Sequence, residues 1–129
     1  MALRVERVVD VTLGVRTLWN EILEGSSDLR GARAILDDLG ALEGLIERQS
    51  VWIGLDGGPV SLAVIERGIV KILYVAPGHR RRGLGRATLA ELIAQASPVD
   101  AWALPGDRAS KSLYESVGWR ARLLTMRGD

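Results

Sequence analysis

The stretch Ile69-Val70-Lys71-Ile72-Leu73-Tyr74-Val75-Ala76-Pro77-Gly78-His79-Arg80-Arg81-Arg82-Gly83-Leu84-Gly85-Arg86 decides the reading of this chain. Its apolar first half, Ile69 to Val75, predicts a strand. Pro77-Gly78 ends that strand, and a basic loop with two glycines follows. Leu84, Ala87, Leu89, Leu92, Ile93 and Ala96 then give a broad apolar face over 84–96, which predicts a helix. Strand, glycine loop and helix together aim several backbone N–H groups and a helix N-terminus at one point. Such a point suits an anion, most simply a phosphate or pyrophosphate.

Working outward, the elements predicted before the loop are a strand over Leu3–Val8, a helix over Val11–Glu24 capped by Asp10, and a second helix over Leu29–Arg48 that Gly40 could split. A strand over Val51–Leu55, the hairpin signal Asp56-Gly57-Gly58 and a strand over Pro59–Ile65 follow. After the loop helix come a short strand over Asp100–Leu104, a helix from about Arg108 to Val117 capped by Asp107, and a last strand over Trp119–Met126. The order β-α-α-β-β-β-α-β-α-β is α+β (mixed α/β), a central, mostly antiparallel sheet flanked by helices. Trp19, Trp52 and Trp102 are expected in the core.

The 129 residues make one domain, and mean hydropathy of +0.11 describes an ordinary globule. No apolar run reaches the roughly 20 residues that cross a bilayer. No leader pattern is present, so a cytoplasmic protein without membrane contact is expected. Cysteine is absent, which removes disulfides, thiolate-ligated zinc and thiol catalysis. The single histidine, His79, argues against a His-rich metal site and a Ser-His-Asp triad; no metal is expected. Residues 1–50 carry 9 acids and 6 bases, whereas residues 76–129 carry 5 acids and 9 bases. That polarity fits an anionic ligand near the loop and a cationic one near the acidic first part. A pI of 8.2 gives no support to nucleic-acid binding.

The glycine loop is not a Walker A loop, because no Gly-Lys-Ser/Thr follows. It is not a Rossmann fingerprint either, because Thr88 stands where a third Gly is needed. Three matches carry a family resemblance. Val75-x-Pro77-x-x-Arg80-x-x-Gly83-x-Gly85, followed by Leu89, resembles the acetyl-CoA loop of the GNAT superfamily of N-acetyltransferases. Asp107-x-x-Ser110-x-x-Leu113-Tyr114-Glu115-x-x-Gly118-Trp119 resembles that family's second motif, with Asp107 in place of Asn and Trp119 in place of Phe. The hairpin through Asp56-Gly57-Gly58-Pro59 resembles the one before the family's fourth strand.

The resemblance implies a single acetyltransferase domain over residues 1–129 that uses acetyl-CoA as co-substrate and no metal. It implies a cofactor site at Leu73, Tyr74 and Val75 for the pantetheine arm, and at Arg80, Arg81, Arg82, Gly83, Leu84, Gly85, Arg86 and Ala87 for the pyrophosphate. It adds Asp107 and Ser110 to the cofactor-binding residues. It implies Tyr114 as the acid for the leaving thiolate. The base is not fixed: Glu66, at the end of the third strand, is the first candidate, with Glu21 and Glu24 behind it. The acceptor is a primary amine, and Glu21, Glu24, Asp28, Asp37 and Asp38 suit a cationic one. The final hairpin of the family is either reduced or completed by another subunit, so a homodimer is an open expectation. A non-catalytic acyl-CoA-binding or regulatory module is the alternative function.

Overall fold

The computed structural model describes residues 2–25, 31–80, 82–103 and 107–121. Its elements are β1 (Arg4–Arg7), α1 (Leu13–Glu24), α2 (Ala32–Leu39), α3 (Leu42–Glu47), β2 (Val51–Leu55), β3 (Pro59–Glu66), β4 (Ile69–Val75), a 3-10 turn at Pro77–His79, α4 (Leu84–Ala96), β5 (Asp100–Ala101) and α5 (Arg108–Ser116). The strands form one sheet in the order β1-β2-β3-β4-β5. Its first four strands pair antiparallel, and β5 joins β4 in parallel. This is the expected mixed sheet flanked by helices.

Several boundaries move for local reasons. Thr12 rather than Asp10 caps α1, its Oγ1 accepting the Val15 N–H at 3.3 Å. The single helix expected over 29–48 divides at Gly40, whose φ of 81° lies in a region an L side chain resists. The predicted strand over Asp100–Leu104 keeps only Asp100 and Ala101 among the described residues. Of the last predicted strand, residues 119–121 form no strand and residues 122–126 lie outside the described residues.

The sheet buries both faces. On one, Val51, Ile53, Leu62 and Val64 pack with Val15, Leu18 and Trp19 of α1, Leu36 and Leu39 of α2, and Leu42 and Leu45 of α3; Ile72 and Tyr74 of β4 lie against the same cluster. On the other face, Leu92 of α4 packs with Val5 and Ala63, and Leu73 joins them. Alternation along β4 thus sends Tyr74 toward α1 and its neighbour Leu73 toward α4. Two contacts set how closely the helices approach. A Cβ at Gly14 would strike the Pro59 ring, so the missing side chain lets α1 lie on β3. A Cβ at Gly54 would strike Ser61 Oγ, which bonds Thr88 Oγ1 of α4 at 2.9 Å inside the core. Thr88 Oγ1 also donates to Leu84 O at 2.7 Å, so this buried polar pair is satisfied.

Register is interrupted once in β4. Val64 faces Ile72 and Ile65 faces Val70, which leaves Lys71 as the extra residue of a β-bulge.

Candidate functional site

The two ends of β4 are built differently. At its start, Ile69 and Val70 pair with Asp100 and Ala101 of β5, and Trp102 N–H donates to Val70 O at 3.0 Å. Past that point no described residue pairs with the β5 side of β4. The Ala76 N–H donates to Val60 O at 2.9 Å, which fixes the hydrogen-bonding phase with β3. By antiparallel alternation Tyr74 and Ile72 give their amides to β3, while Leu73 and Val75 turn theirs to the open edge. The Val75 carbonyl, which faces that edge, accepts from Arg80 Nε at 2.9 Å.

Directly after this edge comes the N-terminus of α4. Gly83 is its N-cap, with φ 74°, a conformation that favours glycine. No side chain caps the helix. Among the described residues nothing accepts the N–H groups of Leu84, Gly85 and Arg86. Ala87 is different: its N–H already bonds Gly83 O at 3.0 Å, and the Arg80 N–H is drawn to Pro77 O at 3.5 Å. The two end amides of the expected cradle over 80–87 are thus engaged, and those of 84–86 lie at the start of the helix. Three free amides at a helix N-terminus, reinforced by its dipole, are donors aimed at an anion. A Cβ at Gly85 would meet Leu113 and Val75 side chains at 3.5 Å, ordinary contact. Internal packing therefore tolerates a Cβ there, and the space beside Gly85 is bounded by Leu113 and Val75.

The basic side chains sort themselves. Arg80 lies over the Tyr74 ring, 5.4 Å from its centroid, and ties the strand end to the loop. Arg82 reaches His79 Nδ1 at 3.4 Å. Arg86 is exposed. Arg81 lies outside the described residues. Leu84 is buried, so only its amide can serve a ligand.

Asp107 caps α5: its Oδ1 accepts the Ser110 N–H at 3.1 Å and its Oδ2 accepts Ser110 Oγ at 2.7 Å. Both side chains expected beside the cofactor are thus engaged with each other. Tyr114 lies on the same helix, 7% exposed and stacked on Trp119 with ring centroids 5.8 Å apart. Burial, with the nearby Asp107 charge, pushes its hydroxyl well above the ordinary tyrosine value. No described group bonds that hydroxyl, yet no fully buried side-chain polar atom among the described residues lacks a partner, so the oxygen keeps some access to solvent.

Glu66 is where the geometry departs from expectation. It faces Ile69 at the closed end of β4, four residues before Leu73, roughly 13 Å along a strand. Its Oε2 accepts from Arg48 Nε at 2.9 Å and Ser50 Oγ at 3.1 Å, and Lys71 Nζ lies 3.7 Å from Oε1. Burial acts to raise its pKa, but Arg48, Ser50 and Lys71 outweigh it and hold the carboxyl below its ordinary value. A carboxylate gripped by two cations is a weak base, and Glu66 reads as a clamp between the end of β3 and the segment after α3.

Three features escaped the sequence. Glu21, already a candidate base by sequence, is half-buried on α1 and accepts the Tyr74 hydroxyl at 2.8 Å, a contact no local signal gives. Lys71, the bulged residue, sets its Nζ 5.0 Å above the Trp102 ring. Trp102 itself is 40% exposed, not core, because β5 ends one residue before it. The one legible signal was the position of Glu21, between the inward-facing Leu18 and Ile22.

Comparisons with known proteins fit this geometry. The family described as "Acetyltransferase (GNAT) domain" matches residues 47–121, which hold β2 to α5 and every site element above except α1. The mycothiol acetyltransferase of Clavibacter sepedonicus is 37% identical over 123 residues, covering 78% of this chain; the chain spans only 40% of that relative's length. Among solved structures, yncA from Salmonella typhimurium, described as a putative acetyltransferase with its cofactor acetyl-CoA, aligns at TM-score 0.62 and 19% identity, over 92% of this chain and 79% of its own. Diaminobutyrate acetyltransferase EctA from Paenibacillus lautus, in complex with L-2,4-diaminobutyric acid and coenzyme A, aligns at TM-score 0.59 and 23% identity, over 89% and 74%. The loop, the uncapped helix and the matched segment coincide: the chain belongs to the GNAT acetyltransferase family.

Proposed function

We propose that this chain transfers an acetyl group from acetyl-CoA to a primary amine by direct attack on the thioester. The observation that carries the proposal is the free amide set of Leu84, Gly85 and Arg86 beside the open edge of β4. The residues fit the coenzyme. The amides of 84–86 would hold its diphosphate, with Arg82 and Arg86 adding charge, each under about 1 kcal/mol where exposed. The edge of Leu73 and Val75 would pair with the amide groups of its arm as a strand does.

Bound acetyl-CoA supplies an acyl thioester, whose carbonyl carbon the amine attacks and whose sulfur departs. Leu73 N–H is the main-chain donor available to negative charge growing on the carbonyl oxygen, a contribution worth several kcal/mol when such a donor is fixed in place. Burial holds the Tyr114 hydroxyl above the ordinary tyrosine value, so it keeps its proton near neutral pH and can donate it toward the departing sulfur. The amines bound by relatives such as diaminobutyrate acetyltransferase support an amine acceptor here, and Asp37 and Asp38 on exposed α2 positions favour a cationic one. Release of free thiol from acetyl-CoA, followed over a panel of diamines, amino sugars and amino acids, tests the proposal. Acceptor-dependent thiol release is the expected result. Coenzyme binding without release on any amine would leave a non-catalytic acyl-CoA-binding module instead.

A further inference from the structure

We propose that Glu21 takes the proton from the attacking amine and that Tyr74 is the residue positioning it. The inference rests on the acetyltransferase reading above and assigns the base that reading lacks. The hydroxyl of Tyr74 donates to Glu21 Oε1 at 2.8 Å, joining β4 to α1 across 53 residues of chain. The bond leaves Glu21 Oε2 without a partner among the described residues. Tyr74 directly follows Leu73, whose N–H faces the open edge, so the carboxylate is held on the α1 face beside the reacting position. Tyr114 belongs to α5, whose Leu113 reaches Gly85 at the start of α4. Acid and base therefore approach from opposite sides, which suits an amine arriving on one side and a thiol leaving on the other.

The competing carboxylates are less suited. Glu66 is clamped by Arg48, Ser50 and Lys71, and Glu24 is exposed and makes no described contact with β4. Burial, the bond to Glu21 and its charge push the Tyr74 hydroxyl up to about 12 against an opposing Arg80, so Tyr74 remains the donor and Glu21 the acceptor throughout the neutral range. In the step itself, the amine nitrogen forms a bond to the carbonyl carbon and gives one proton to Glu21, while the carbon–sulfur bond breaks and the sulfur gains a proton from Tyr114. Solvent then returns a proton to Tyr114 and removes one from Glu21.

The test compares Glu21→Gln and Tyr74→Phe with the unaltered chain, using its best acceptor amine. Glu21→Gln is expected to lower kcat about 100-fold, with the Kd of coenzyme A and the melting temperature unchanged. Glu21→Gly should regain part of that rate on addition of formate, which a purely structural carboxylate would not allow. Tyr74→Phe keeps the ring under Arg80 and should lower kcat several-fold while the Kd of coenzyme A holds. Wild-type turnover with Glu21→Gln within threefold of it overturns this inference alone. A wild-type chain inactive on every amine overturns both the inference and the reading beneath it.

Discussion

The two ends of β4 carry opposite solutions to the same problem. At the Ile69–Val70 end the strand is paired on both sides, Val70 is fully buried, and the neighbouring carboxylate Glu66 is neutralised by Arg48 and Lys71. At the Leu73–Val75 end no described residue pairs with one edge, and among the described residues nothing accepts the first three amides of the helix that follows. Buried polar groups normally find partners because an unmade hydrogen bond costs about 1–3 kcal/mol. Donors left open at one end of a strand, when the other end is fully satisfied, mark where the molecule expects a ligand.

Introducing a carboxylate among the open donors should break the comparison most severely. Gly85→Glu places negative charge at the helix N-terminus, where it stabilises the helix by about 0.3–1 kcal/mol. The same charge competes with a diphosphate. Calorimetry should show coenzyme A affinity falling more than about 100-fold, roughly 2.7 kcal/mol, with no loss in melting temperature. Unchanged affinity would place the diphosphate elsewhere. Tyr114→Phe comes next: kcat should fall about 100-fold while coenzyme A binding is retained. A matching loss of affinity would mean that the stacked Tyr114–Trp119 pair shapes the pocket and does no chemistry.

At the closed end the effects should be on stability. Val70→Ala removes two methyl groups from a fully buried site and should cost about 2 kcal/mol by denaturant unfolding, with the Kd of coenzyme A held constant. Glu66→Gln should be the mildest, about 1 kcal/mol at pH 7, with kcat within threefold of the unaltered chain. Its pH dependence sharpens the point. The folded pKa of Glu66 lies below the ordinary 4.5, so its contribution is present above 4.5 and fades as pH falls through the folded value. The melting-temperature gap between wild type and variant should therefore narrow as pH falls below 4.5. A gap that persists there would mean the Arg48–Glu66 pair is not its source.

The open end was the more legible of the two. The apolar run fixed β4 at Ile69–Val75, Pro77 ended it, and Gly83 started α4 at Leu84, all as the residue types dictate. These are local signals, each carried by a few consecutive residues. The closed end and the α1 face depend on contacts between distant residues: Arg48 with Glu66, Lys71 with Trp102, Glu21 with Tyr74. No periodicity encodes them. Glu66 looked available because a hairpin-end carboxylate is usually solvated, and only the fold brings Arg48 and Ser50 to it. Trp102 looked like core because an indole in an apolar tetrapeptide usually is, and the early end of β5 leaves it at the surface.

The central claim is that the amides of Leu84, Gly85 and Arg86 receive the diphosphate of the coenzyme. Amide NMR spectra recorded during a titration with coenzyme A test it most directly, since a chain of 14.0 kDa gives resolved spectra. The account predicts that these three amide protons move downfield on saturation, together with Leu73, while the first turn of α1 stays still. Saturable binding that leaves the three resonances unmoved would contradict it.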